Sequence, residues 1–380
     1  MTRNHIEIAC CCIISFMLGW AVRMLADWIR NGDNAISWNG GIYTGDVLDG
    51  IPNGDGRFVK GNATYTGFWT NGELANGQIE TDKLTYNGDV KGTRFDGYGV
   101  ALYKDNRAYW GYWKNDYKEG LGLYRDKAGA FTFGLFENGI VQNADGKEYN
   151  VGDRVYGIDV SKHQGIISWQ DLFLSCTAKG EVVGTMPQVV SYMQPVMFAF
   201  IKSTQGTTLK DACYENNYAE AKRCGKLCGV YHFLTLTAPG KEQAKFFIAN
   251  TILAKGDFPP ILDLEKNNSD KPVSDQEFAA IIPIAKEWIA AIKAHYRVNP
   301  IIYTNMHIYN KFVATDHELS KYDLWLAAPG TKKPEVDKCI VWQFSHSGKV
   351  NGINDNIVDI NLFNGNYKEM ENYVRSKGIK

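Results

Sequence analysis

Residues 258–265 read FPPILDLE, a short apolar run that ends in two carboxylates. Read as a strand, its side chains alternate faces, so Asp263 and Glu265 share one face and Leu262 and Leu264 the other. Two like charges that close resist joint ionisation, and one carboxyl pKa rises. A raised carboxyl is what general-acid chemistry near neutral pH requires. The same residues also fit a plain strand end running into a solvated loop. The segments on either side must choose between these readings.

From Val155 onward, apolar β-branched runs alternate with helical stretches. Strands are expected at 155–160 (VYGIDV), 196–204 (VMFAFIKST), 227–234 (LCGVYHFL), 259–265, 300–305 (PIIYTN), 323–328 (DLWLAA), 339–345 (CIVWQFS) and 358–363 (VDINLF). Amphipathic helices are expected at 212–224, 241–253 and 275–296. Strand–helix alternation with nearly continuous apolar strands predicts an α/β fold, a parallel sheet covered by helices. Eight such strands predict a barrel. The helical intervals shrink after Tyr303, so loops are expected between the last strands.

In such a barrel chemistry collects at the C-terminal strand ends. Asp159 ends the first strand, with Lys162 and His163 just beyond, and Lys202 and Gln205 end the second. Tyr231 and His232 lie on the third, and Asp263 and Glu265 close the fourth. Tyr303, Trp325, Trp342 and Gln343 follow, and Asp359 opens the last. Four carboxylates at comparable depth, with aromatic platforms between them, suit cleavage of a polysaccharide: sugar rings stack on Trp and Tyr while one carboxyl protonates the glycosidic oxygen. His163 and His232 lack metal-ligand spacing, and there is no phosphate-binding glycine loop and no GxSxG elbow, so no metal or cofactor is expected.

The segments YGIDVSKHQGIISW (156–169), AFIKSTQG (199–206), GVYHF (229–233), PPILDLE (259–265), IIYTN (301–305) and VWQFSHSGKVNGINDNIVDINLFNG (341–365) occur in one order. Together they resemble glycoside hydrolase family 25, the Chalaropsis-type lysozymes or N-acetylmuramidases. The resemblance implies an incomplete TIM-like (β/α) barrel over 151–380. It also implies hydrolysis of the β-1,4 link between N-acetylmuramic acid and N-acetylglucosamine, so peptidoglycan strands would be the partner. Carried over, it makes Glu265 the general acid/base. Asp263 would orient the substrate's 2-acetamido group, whose oxygen serves as internal nucleophile with net retention. Asp159 and Asp359 match the other site acids, and Asp359 either supports that nucleophile or is itself the nucleophile. Tyr231, Tyr303, Trp342 and Gln343 match substrate-contacting positions; His232, Trp325 and Lys202 are grouped with them from their places on the rim. One departure is Gln205, which stands where many members have Glu, so the rim carries less negative charge. Another is extra length between Trp169 and Phe198, read as a lid or docking loop around Lys179 to Gln194.

Upstream, aromatic-x-Gly elements place glycines at 45, 67, 88, 111 and 134, steps of 22, 21, 23 and 23 residues. A second element, GDG at Gly54, GYG at Gly97 and GLG at Gly120, lies between them. Aromatic strands with regular glycine turns predict a stack of short hairpins that share a core with their neighbours. YTGFWTNG (65–72) and YWGYW (109–113) resemble the MORN repeat, giving about five repeats within 41–150, read as a spacer or docking platform. Residues 1–30 carry a run of 15 uncharged residues, Ile8 to Val22, flanked by Arg3, Arg23 and Arg30. It is read as an N-terminal hydrophobic helix, a signal anchor or a signal peptide, with the anchor slightly favoured because no small-x-small site follows cleanly. A chain secreted or held at the cell envelope, meeting a membrane through that segment, is the expectation.

The bulk numbers agree with this division. A chain of 380 residues suits about two domains, and 44% hydrophobic with 22% charged residues is an ordinary globular balance. A formal net charge of -1 gives no electrostatic case for nucleic acid. Cys224 and Cys228 have no second cysteine pair nearby, so buried thiols are expected rather than a zinc site. The alternative to a hydrolase is a glycan-binding or scaffold protein in which the repeats carry the interaction. A hydrolase of chitin-like polymers would share the same mechanism, since chitin also carries the 2-acetamido group.

Overall fold

The computed structural model describes residues 35–142, 154–175, 193–266, 274–330, 332–353 and 357–380. The hydrophobic run 8–22, most of the extra loop before the second barrel strand, and the residues past 142 in the last repeat lie outside the described residues. The described residues fall into two compact units. The fold is mixed α/β, with an all-β antiparallel unit first and a barrel-like unit second.

The first unit is one antiparallel meander of eleven strands in sequence order. They are β1 (Ala35–Trp38), β2 (Gly41–Leu48), β3 (Ile51–Lys60), β4 (Ala63–Thr70), β5 (Glu73–Glu80), β6 (Leu84–Lys91), β7 (Arg94–Tyr103), β8 (Ala108–Lys114), β9 (Tyr117–Arg125), β10 (Phe131–Glu137) and β11 (Ile140–Gln142). The glycine period has a steric cause. Glycines face each other across the strand pairs, as Gly45 with Gly56, Gly88 with Gly99 and Gly111 with Gly122. Over each such pair a tyrosine ring lies flat. A Cβ on Gly56, Gly99 or Gly122 would sit 2.0, 2.2 and 2.2 Å from the hydroxyl of Tyr43, Tyr86 and Tyr109. Each of these hydroxyls donates to a carbonyl three residues on: Asp46, Asp89 and Tyr112. Tryptophans pack edge-on against the tyrosines, Trp69 on Tyr43 and Trp113 on Tyr109. The stacked rings form the shared core that no single hairpin could bury alone.

The second unit winds β12 (Val155–Val160), β14 (Met193–Gln205), β16 (Leu227–Phe233), β17 (Ile261–Asp263), β18 (Ile301–Asn305), β19 (Leu324–Ala327), β20 (Cys339–Gly348) and β21 (Val358–Phe363) into one sheet. All eight expected segments form strands. β12 pairs with both β14 and β21, which closes the ring, while short β13 (Phe173–Ser175) and β15 (Leu209–Lys210) attach to β14. Helices Tyr214–Arg223, Gly240–Asn250 and Ile281–Tyr296 connect the early strands. The predicted helix over 275–296 is two pieces, Asp275–Phe278, capped by Ser274, and Ile281–Tyr296.

One expectation needs correction: the sheet is not wholly parallel. β21 runs antiparallel to both β20 and β12. The short link from Gly348 to Val358 is the reason, because a parallel crossover needs a dozen residues or more, usually a helix. A C-terminal helix, Tyr367–Lys377, follows and carries a capping box at Asn366. The barrel interior is filled by aromatics: Phe200 packs on Trp325 at 4.7 Å and on Phe258 at 5.2 Å. All three are buried, and each contributes about 2–3 kcal/mol of hydrophobic stabilisation.

Candidate active site

Alternation along the strands decides which polar residues meet. On β12 it is Asp159, on β14 Lys202, on β16 Tyr231, and on β17 Asp263 that take inward positions of the period-2 pattern; Tyr303, Trp325, Gln343, Asp359 and Asn361 do so on the later strands. Asp159 and Asp359 are direct cross-strand partners. β17 is only three residues long, so Glu265 stands just past its end while Asp263 is its last residue. Asp263 is buried and Glu265 half-buried at the mouth.

Two amides tie the acids together. Gln343, fully buried, receives the Tyr303 hydroxyl on Oε1 at 2.9 Å. Its Nε2 donates to Asp159 at 2.9 Å and to Asp359 at 3.2 Å. Asn361, also fully buried, donates to Asp159 at 2.7 Å and accepts from the Trp325 indole at 2.7 Å. Asn361 is not among the site residues expected from the sequence. The signal was available: Asp359 and Asn361 are two apart in a strand, the same spacing that singled out Asp263 and Glu265.

The electrostatics follow from burial. Burial raises the Glu265 carboxyl to about 7; Lys202 pulls it down and the Asp359 charge pushes it up. Burial and then the Glu265 charge hold Asp263 well above the usual carboxylate range, against Lys202. Asp159 is also raised, by burial and by Asp359, while the Asn361 and Gln343 amides oppose the shift. Burial raises Asp359 too, and His346, 3.7 Å from its carboxylate, works against that. Lys202 is lowered by burial despite its acidic neighbours, and donates to Gln205 at 2.9 Å. The buried Oδ1 of Asp263 has no hydrogen-bond partner among the described residues. A carboxylic acid near neutral pKa beside a second buried carboxyl can supply a proton and hold an N–H donor of a bound ligand.

Several predicted contact residues lie elsewhere. His232 follows Tyr231 and points to the helical side: it is fully buried, hydrogen bonds Thr204 at 2.7 Å and stacks on Trp288 at 5.7 Å. Burial lowers its pKa to about 3, so the ring packs there in its neutral form. Trp342 is likewise on the face opposite Gln343, packed with Leu326 and Cys339, its indole donating to the Ala328 carbonyl. Trp325 is inward but only 1% exposed, so it supports the acids from beneath. Tyr231 and Tyr303 keep a small exposed edge at 9% and 8%. Cys224 and Cys228 are buried, Cys228 inside β16. Among the described residues no group of His, Cys, Asp and Glu could hold a metal ion, and no helix is long and apolar enough to cross a membrane.

The family model for glycosyl hydrolases family 25 matches residues 158–353, more than half of the chain. The chain belongs to glycosyl hydrolases family 25. The family 25 segment takes in Asp159, Asp263, Glu265 and Gln343 and stops short of Asp359 and Asn361, which β21 brings back beside them. The chain is 31% identical over 228 residues to the protein YegX of Escherichia coli (strain K12), covering 60% of this chain and 75% of that one. It is 30% identical over 224 residues to Lysozyme M1 of Streptomyces globisporus, covering 56% of this chain and 68% of that one. The solved family 25 glycosyl hydrolase from Bacillus anthracis is 28% identical, with a TM-score of 0.47, over 58% of this chain and 93% of that one.

Proposed function

We propose that the chain is a peptidoglycan hydrolase, an N-acetylmuramidase that cleaves the β-1,4 bond from N-acetylmuramic acid to N-acetylglucosamine. The observation that carries this is the pairing of a half-buried Glu265 near neutral pKa with a buried Asp263 whose Oδ1 has no partner among the described residues. Similarity to Lysozyme M1, and at 23% identity to the N,O-diacetylmuramidase of Arthroderma benhamiae, supports the substrate.

Protonated Glu265 gives its proton to the leaving glycosidic oxygen as the bond breaks. Asp263 accepts the acetamido N–H at its Oδ1, which turns the acetamido oxygen toward the anomeric carbon. That oxygen attacks, giving an oxazolinium intermediate; Glu265, now a carboxylate, takes a proton from water, and the water opens the ring with net retention. Substrate assistance of this kind departs from the usual two-carboxylate scheme. In their ionised forms Asp159 and Asp359 supply negative charge near the developing cation, and Tyr231 and Tyr303 offer ring edges to the sugar.

In this reading the enzyme domain, 151–380, is an incomplete TIM-like barrel. The hairpin array, 41–150, is a set of MORN repeats acting as spacer or docking platform, and residues 8–22 anchor the chain at the cell envelope. The test is digestion of purified peptidoglycan by the full chain with mass spectrometry of the products. New N-acetylmuramic acid reducing ends are expected; new N-acetylglucosamine ends, or none, would overturn the reading. Chitin oligomers incubated in parallel should be cut far more slowly.

A further inference from the structure

The Trp325 indole, the Asn361 amide and the Asp159 carboxylate form a chain of two hydrogen bonds, each 2.7 Å long. Asn361 is fully buried and Trp325 is 1% exposed, so water does not compete for the bond between them, while Asp159 is half-buried. An indole N–H can only donate. It therefore fixes which end of the Asn361 amide it meets: the oxygen must face Trp325, leaving the NH2 for Asp159. The second branch is different. Gln343 also donates to Asp159, but its partner is the Tyr303 hydroxyl, which can donate or accept, so that amide could turn over. A neutral carboxyl has a hydroxyl of its own to donate and would be served best by an amide oxygen. The indole denies it that oxygen.

We propose that Trp325 and Asn361 are positioning residues of the glycosidase site: the indole N–H locks the amide so that its NH2 favours the anion of Asp159 against the neighbouring Asp359 and Glu265 carboxylates. This rests on the muramidase reading, in which a fixed negative charge is wanted beside an oxocarbenium-like transition state. The ionisation itself needs no substrate. Asp359 receives the longer Gln343 bond of 3.2 Å and has His346 3.7 Å from its carboxylate, so its charge is balanced by other groups. The two residues face each other across one strand pair but are held by different partners.

Trp325→Phe removes the N–H and keeps an aromatic ring, which frees the amide to rotate. The experiment is a carbon-13 NMR titration of aspartate side-chain carboxyls in the full chain, with the Asp159 signal assigned by Asp159→Asn. The Asp159 midpoint should rise by about one pH unit in Trp325→Phe, since a hydrogen bond to a charged group is lost. Asn361→Leu should raise it by a similar amount, and the double variant should add little, because both substitutions remove one relay. The acid limb of the kcat/KM profile should move with the midpoint, while the upper limb stays in place. A midpoint that stays within about 0.2 units of the parent in both single variants, or shifts that add in the double variant, would overturn the proposal. Should Trp325→Phe fail to fold, Asn361→Leu decides alone. If the parent does not cleave peptidoglycan, the functional reading fails, and the titration still decides this one.

Discussion

Replacing Glu265 by Gln exchanges a titrating carboxyl for a neutral amide of the same shape, and it should move activity and stability in opposite directions. A positioned general acid contributes about 10²–10⁴-fold, so cleavage should fall at least ~100-fold with glycan binding little changed. Stability follows from linkage. The carboxyl is raised from 4.5 to about 7, so the native state holds its proton more tightly than the unfolded chain does. Below 4.5 both states are protonated and the fold is at its best; stability is lost as pH rises toward and through about 7. At about 1.4 kcal/mol per unit that span is worth about 3 kcal/mol, reduced to about 2 kcal/mol by the partial solvent screening of a half-buried group. The Gln variant has no such penalty. It should therefore melt several degrees above the parent at pH 8, about 4–8 °C for a domain of this size, and together with it at pH 4. Thermal melts followed by near-ultraviolet circular dichroism at the two pH values, beside release of reducing ends, measure both effects. A stability gain equal at pH 4 and pH 8, or cleavage at the parent rate, would refute the reasoning.

Activity of the parent should fall as pH rises above about 7, about tenfold per unit, because the protonated form of Glu265 is the acid; a pH–rate profile checks the slope. Gln205→Glu would give Lys202 a carboxylate partner, weaken its pull on Glu265 and move that upper limb to higher pH, by roughly half a unit, in the same profile. His232→Ala should cost about 2 kcal/mol or more in urea unfolding and leave kcat/KM nearly unchanged, because the ring packs on Trp288 away from the acids. Gly99→Ala should destabilise the hairpin unit by about 1–3 kcal/mol, since its Cβ would meet the Tyr86 hydroxyl and the backbone offers no retreat. Tyr86→Phe, which loses only the bond to the Asp89 carbonyl, should cost about 1 kcal/mol; both are read from the first unit's unfolding transition.

Strand positions were legible because buried strands read as largely apolar runs, and VYGIDV and VDINLF occupy β12 and β21 to the residue. The direction of β21 was not, since an apolar run carries no arrow; only the length of the link before it did. The site residues divide the same way. Asp263 ends its strand and Asp159 is next to last in its own, where a carboxylate in an apolar run is conspicuous. Asn361 sits mid-strand in β21 and its amide gives no such contrast. His232 and Trp342 attract notice as residue types, but they are neighbours of inward residues, and a one-residue step reverses the face. In the first unit the glycine period was plain, but its cause, a tyrosine ring laid over paired glycines, is a contact between strands that spacing alone does not describe.

The most direct test of the central claim is mass spectrometry of the reducing ends released from purified peptidoglycan by the full chain and by its Glu265→Gln variant, run side by side. N-acetylmuramic acid ends released by the parent and absent with the variant are the predicted result. A folded parent that releases none, or a variant that releases them at the parent rate, would contradict it.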